Sequence, residues 1–116
     1  MLRIDIQRNS SNATLRCRGR IVFGMEIETL RSVVQSRSEQ ILEIDLTGIA
    51  TVDASGLGLL VELQHWANTH NRILYFTNAS EFVTRLVFVT HLYNVLVIAP
   101  GGRRVRREAT AAMLSA

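Results

Sequence analysis

The chain has 116 residues, 47% hydrophobic and 20% charged, a composition that suits one globular domain and excludes a disordered chain. A single proline and seven glycines leave no linker to divide it, and a lone cysteine, Cys17, excludes an intramolecular disulfide, a C-x-x-C pair and a thiolate zinc cluster. The formal net charge of +3 comes from one end: residues 1–100 hold nine arginines against nine carboxylates, which weakens any claim that the folded body is a nucleic-acid platform.

Ile4 and Ile6 alternate with Asp5 and Gln7, the period-two pattern of a first strand. Ser10-Ser11-Asn12 is turn material. Leu15, Cys17 and Gly19 then alternate with Arg16, Arg18 and Arg20, which predicts a second strand with one basic face and a hairpin to the first. Cys17 reads as a small core residue, and Phe23 and Met25 as exposed loop apolars. Ile27, Leu30, Val33 and Val34 lie on one face of a helix, with Glu28, Arg31 and Gln35 on the other. Residues 36–40 are polar and end it.

Ile41, Leu42, Ile44 and Leu46 form a near-continuous apolar run, as expected of a central strand. A short turn at Gly48 follows. Gly56 to about His70 reads as a second helix with Leu57, Leu60, Val61, Leu63 and Ala67 inward, and Arg72 to Thr77 as another strand. Asn78 and Ser80 are both candidate N-caps for a third helix through Phe82, Val83, Leu86 and Val87. Thr90 to Asn94 form a loop, and Val95–Ile98 a last strand before Pro100-Gly101-Gly102.

The order is β-β-α-β-α-β-α-β, an α/β fold whose crossovers dictate mostly parallel pairing with right-handed connections. A compact mixed sheet of four to five strands, with about three to four helices packed on it, accommodates these elements. Residues 1–100 are the domain. Residues 101–116 are a tail in which Arg103, Arg104, Arg106 and Arg107 face only Glu108; it reads as a solvated end or an electrostatic dock for an acidic partner or RNA, which Arg16, Arg18 and Arg20 would extend. Met1–Asp5 has no signal-peptide character, and no apolar stretch approaches the ~20 residues of a membrane span. A cytoplasmic chain without membrane insertion is expected, in which the sequons at Asn9, Asn12 and Asn78 carry no glycan.

The informative stretch runs from Asp45-Leu46-Thr47-Gly48 to Asp53-Ala54-Ser55-Gly56-Leu57-Gly58. It places Ser55 at a helix N-terminus, where the first backbone N–H groups lack intrahelical partners. A serine there caps the helix, and a phosphate on it would be favoured by the same N–H groups and the positive end of the dipole. Gly56 and Gly58 keep the surroundings small, leaving the hydroxyl open to a partner surface. Asp53 either forms the turn or orients that hydroxyl.

These residues resemble the signature of STAS domains, and more narrowly of the anti-sigma-factor antagonists (anti-anti-sigma factors) of bacterial partner switching. Arg18-Gly19-Arg20-Ile21 is similar to that family's second-strand exit and Leu92-Tyr93-Asn94-Val95 to its turn into the last strand. The resemblance implies a STAS-like fold and an unphosphorylated form that binds an anti-sigma factor, itself a serine kinase, and frees the sigma factor for transcription. It also implies that the kinase phosphorylates Ser55 to end the interaction and a separate serine phosphatase restores it. Asp53, Ala54, Ser55, Gly56, Leu57 and Gly58, with Phe23 and Glu26, form the implied partner surface. Many such antagonists carry an acid soon after the second-strand glycine. After Gly19 the first acid here is Glu26, so either Glu26 substitutes or the partner surface differs.

On this reading the chain is a substrate and not an enzyme; it has no catalytic residue, cofactor or metal of its own, and nothing like G-x-x-x-x-G-K-[ST] occurs. A second reading is a STAS accessory subunit of a bacterial membrane transport ATPase, with Ser55 never phosphorylated. A serine hydrolase is the enzymatic alternative, but Asp53-Ala54-Ser55-Gly56-Leu57 lacks the leading glycine of G-x-S-x-G. His65 and His70 lie more than two turns along the helix from Ser55, and His91 is in a loop.

Overall fold

Asn9 closes the first hairpin, its Oδ1 accepting the N–H groups of Ser11 at 3.1 Å and Asn12 at 2.9 Å. The hairpin joins β1 (Leu2–Arg8) to β2 (Asn12–Ile21), antiparallel with Ile4 opposite Cys17. In the computed structural model, which describes residues 1–99, there follow α1 (Met25–Gln35), β3 (Ile41–Val52), α2 (Ala54–Thr69), β4 (Ile73–Thr77) and α3 (Glu81–Val89). The sheet order is β1-β2-β3-β4, with β2, β3 and β4 parallel. Successive right-handed crossovers in one direction put every connecting helix on the same face.

That face holds the core. Leu15 and Cys17 of β2, Leu42, Ile44 and Leu46 of β3, and Leu74 and Phe76 of β4 are buried against Leu30 and Val34 of α1, Leu60 and Leu63 of α2, and Val83 and Val87 of α3. Full burial of an aliphatic side chain of this size contributes about 1.5–3 kcal/mol. Ser80, not Asn78, caps α3, its Oγ accepting the Val83 N–H at 3.1 Å. Asn78 instead adopts a φ of 57° and donates to Asp45 at 3.0 Å. Met25 opens α1 and is exposed rather than looped. Among the described residues no helix is long and apolar enough to cross a membrane.

Two expectations change. The apolar run of β3 does not turn at Gly48; the strand continues to Val52. Leu46 and Thr47 lie opposite Cys17 alone, and Ala50 is unmatched between the Gly19–Ile49 and Arg20–Thr51 pairs, so extra residues are absorbed as bulges. The last strand shrinks to one parallel bridge between Phe76 and Ile98. Val95 and Leu96 are held in a turn by the Leu92 carbonyl, and the Val97 N–H donates to the Gln64 side chain at 3.0 Å. Gln64 also donates to the Leu74 carbonyl at 2.9 Å, taking up backbone groups that a full ladder would have used. The Arg-rich tail, 101–116, lies outside the described residues.

Candidate functional site

Strand β3 delivers the chain to the carboxyl edge of the sheet, and Asp53 turns it into α2. Asp53 has an extended backbone, and its side chain makes two connections. Oδ1 accepts the Gly56 N–H at 2.8 Å, and Oδ2 accepts the Phe23 N–H at 2.9 Å from the loop between β2 and α1. These donors, that of Phe23 foremost, hold the carboxyl below the usual aspartate range.

The N-cap of α2 is therefore Asp53 and not Ser55. A capping side chain must reach the N–H two or three residues on, and Asp53 does so at Gly56. Ser55 is the second helical residue, exposed, and among the described residues its hydroxyl has no hydrogen-bond partner. The first-turn N–H groups and the positive end of the helix dipole are close by.

The flanking glycines differ in purpose. Gly56 is buried, and a side chain there would run into the carbonyl of Ile21. Gly58 is exposed, and a Cβ on it would meet nothing within 4 Å. Gly56 and Leu57 are packed inward, so of the motif residues these two present no surface. Asp53, Ala54, Ser55, Gly58, Phe23 and Glu26 all reach the surface, Phe23 with 81% of its area exposed. Glu26 pairs with the Met1 amino group 2.8 Å away, which holds its carboxyl below the usual range.

Residue spacing alone did not disclose the groove of about 480 Å³ between α1 and α2, lined by Phe23, Ile27, Ser55, Gly58 and Leu59. Arg31 closes its far end, donating to Glu62 at 2.7 and 3.0 Å and to Glu28 at 2.7 Å. The signal was present: Ser55, Gly58 and Glu62 fall at i, i+3 and i+7 on one helix face.

No Ser–His pair is assembled at Ser55. His65 is ten residues along α2, roughly 15 Å by helical rise. His70 is the C-cap of that helix, stacked on Trp66 with centroids 5.1 Å apart. His91 lies in the turn that follows α3 and its C-cap Thr90. Among the described residues no three His, Cys, Asp or Glu side chains gather for a metal. Cys17 is fully buried, and desolvation pushes its thiol up to about 12.

The STAS domain family matches residues 3–106, nearly the whole chain. This chain belongs to the STAS domain family. Its fold is similar to that of the anti-sigma factor antagonist SpoIIAA in its unphosphorylated form (TM-score 0.72, 13% identity, 98% of each chain covered). It is also similar to an anti-sigma factor antagonist from Mycobacterium paratuberculosis (TM-score 0.74, 15% identity, 97% of this STAS chain and 93% of that one). The STAS domain of a SulP transporter from Vibrio cholerae has a TM-score of 0.71 at 16% identity, covering 95% of this chain and 89% of that one. At such identities the likeness is one of fold, shared by anti-sigma factor antagonists and a transporter domain alike.

Proposed function

We propose that this STAS domain is an anti-sigma-factor antagonist. It binds an anti-sigma factor with serine-kinase activity while Ser55 is unmodified, is released when Ser55 is phosphorylated, and so regulates sigma-dependent transcription in the cytoplasm. The observation that carries this reading is the exposed, unpartnered Ser55 hydroxyl beside a cap that Asp53 supplies independently.

Phosphoryl transfer would form a bond from the Ser55 oxygen to the γ-phosphorus of ATP, break the bond to ADP, and pass the hydroxyl proton to the kinase's base. The chain supplies only the hydroxyl. The new group adds about −1.5 to −2 charge at the mouth of the α1–α2 groove. The helix end favours it, so the fold accepts it, whereas a partner packed on Phe23 and Gly58 would have to desolvate a dianion. A serine phosphatase would return the docking face to its first state. That SpoIIAA has been characterised in unphosphorylated and phosphorylated forms supports this reading by analogy of fold. Asp53, Ala54, Phe23 and Glu26 complete the docking face, with Gly56 and Leu57 beneath it.

Incubation with candidate anti-sigma kinases and ATP, followed by intact-mass measurement and site mapping, tests the proposal. One phosphate on Ser55, none on Ser55→Ala, and kinase binding lost by Ser55→Asp are expected. A phosphate mapped elsewhere, or full binding by Ser55→Asp, overturns it. A second reading is an accessory STAS subunit of a membrane transport ATPase in which Ser55 only shapes the docking face; the likeness to the SulP transporter domain supports a transport setting for this fold without bearing on an ATPase. Co-purification with such an ATPase, without phosphate on Ser55, selects that reading.

A further inference from the structure

The sheet face turned away from the helices is polar, yet its centre is covered. Glu43 and Asp45 of β3 lie on it, in register with Thr14 and Arg16 of β2 and with Tyr75 and Thr77 of β4. Glu43, Asp45, Tyr75 and Thr77 are each no more than 5% exposed. Helices α1, α2 and α3 pack on the other face, so none of them supplies this cover.

Two acids buried on one face of a strand are costly unless donors and opposite charge meet them. Asp45 accepts from the Thr47 N–H at 2.9 Å, Asn78 Nδ2 at 3.0 Å and Arg16 Nε at 3.4 Å. Glu43 accepts the Thr77 hydroxyl at 2.6 Å and the Thr14 hydroxyl at 3.2 Å. A carboxylate offers about four acceptor sites, so a guanidinium fits beside these two hydroxyls. A cavity of about 140 Å³, lined by Asn12, Thr14, Ile41, Glu43 and Tyr75, opens at this point.

We infer that this face is the docking surface for the chain's own basic segment, residues 103–107, with one of its guanidinium groups on Glu43. Charge selects the segment: Arg103, Arg104, Arg106 and Arg107 stand against Glu108 alone, while the rest of the chain is balanced. Reach permits it. The Ala99 N–H donates to the Phe76 carbonyl at 2.8 Å and Ile98 bridges Phe76, so the chain leaves beside β4. From there Glu43 is two strand spacings across and about two residues back, about 12 Å away. Arg103, four residues beyond Ala99, spans about 13–14 Å before its side chain is counted. So short a tether sets the local concentration of these arginines in roughly the millimolar range, ahead of a separate acidic protein or RNA as their partner.

Limited trypsin digestion of the full chain under native conditions, timed by intact mass, tests the inference. The arginines of residues 103–107 are cut slowly in the parent and at least about tenfold faster in Glu43→Gln, because cleavage follows the released population. Cleavage after Arg31 and Arg72, inside the folded body, stays slow in both, which separates release of the segment from unfolding. Glu28→Gln, at an exposed acid on the helix side of the sheet, leaves the rate at residues 103–107 unchanged. Where Glu43→Gln does not fold, the variant Arg103→Gln/Arg104→Gln/Arg106→Gln/Arg107→Gln carries the test: it melts below the parent. Rapid cleavage of the segment in the parent, equal to that in Glu43→Gln, overturns the inference and leaves these arginines to an outside acidic partner or RNA. An unchanged melting temperature of the quadruple variant overturns it as well.

Discussion

Asp53 and Phe23 are joined across 30 residues of sequence by a 2.9 Å hydrogen bond from the Phe23 N–H to Asp53 Oδ2. The same carboxylate caps α2 through Gly56. One side chain thus ties the exposed Phe23 loop to the helix turn that carries Ser55, joining the two flanks of the candidate docking face.

Asp53→Ala removes cap and loop attachment together and lowers the melting temperature, whereas Ser55→Ala changes stability by no more than about 0.5 kcal/mol, as for an ordinary surface substitution. Thermal melts followed by circular dichroism compare the two. Folding lowers the Asp53 pKa, so its contribution is fully present above the ordinary aspartate value near 4. It fades as pH falls through the folded value, and Asp53→Asn flattens that acid limb. Equal losses from Ser55→Ala and Asp53→Ala would show that the cap has been assigned to the wrong residue.

The two glycines of α2 respond oppositely to a side chain. Gly56→Ala drives a methyl into the Ile21 carbonyl and destabilises by about 1–3 kcal/mol. Gly58→Leu meets open space and gains up to about 1 kcal/mol of helix propensity, yet fills the groove. The second variant melts as high as the parent or higher while its affinity for the anti-sigma partner falls at least about tenfold by calorimetric titration. Unimpaired binding by a well-folded Gly58→Leu removes the groove from the interface.

Acid sensitivity has a second identifiable source. Glu39 is buried, and its carboxyl is held at about 2 chiefly by Arg37, whose guanidinium lies 2.7 Å away. Arg72 donates to the Arg37 carbonyl at 2.6 Å, bracing the same turn from the start of β4. The pair's stabilisation is whole above pH 4.5 and is lost as pH falls toward 2. Urea unfolding at pH 5, 4 and 3 shows a steeper loss for the parent than for Glu39→Gln.

Cys17 is expected to be chemically silent in the native state. With its thiol fully buried and pushed up to about 12, it carries almost no thiolate at pH 8. Ellman's reagent titrates no cysteine in the folded protein and one after unfolding. Rapid native reaction would mean that the β2 face opens readily.

The order of elements, the inward faces of β2 and α1, and the position of Ser55 at a helix start were legible because each depends on neighbours a few residues away. Period two placed Leu15 and Cys17 inward, and helical period placed Leu30 and Val34. The Val95–Ile98 run shows where that logic stops. Its strand propensity is satisfied by one bridge, because Gln64, distant in sequence, occupies the Val97 N–H. Gly48 misled for a related reason: read as a turn, it is a strand residue whose missing side chain accommodates Arg18.

By itself, the amino-acid order determined an α/β domain of parallel crossovers with a serine motif opening its second helix. Tertiary structure alone decided that Asp53 rather than Ser55 caps that helix, that Gly56 packs while Gly58 stays open, and that α1 and α2 leave a groove beside the hydroxyl. Local periodicity reports which way a residue points. What it meets there depends on chain segments about 30 residues away, such as Phe23 for Asp53 and Ile21 for Gly56.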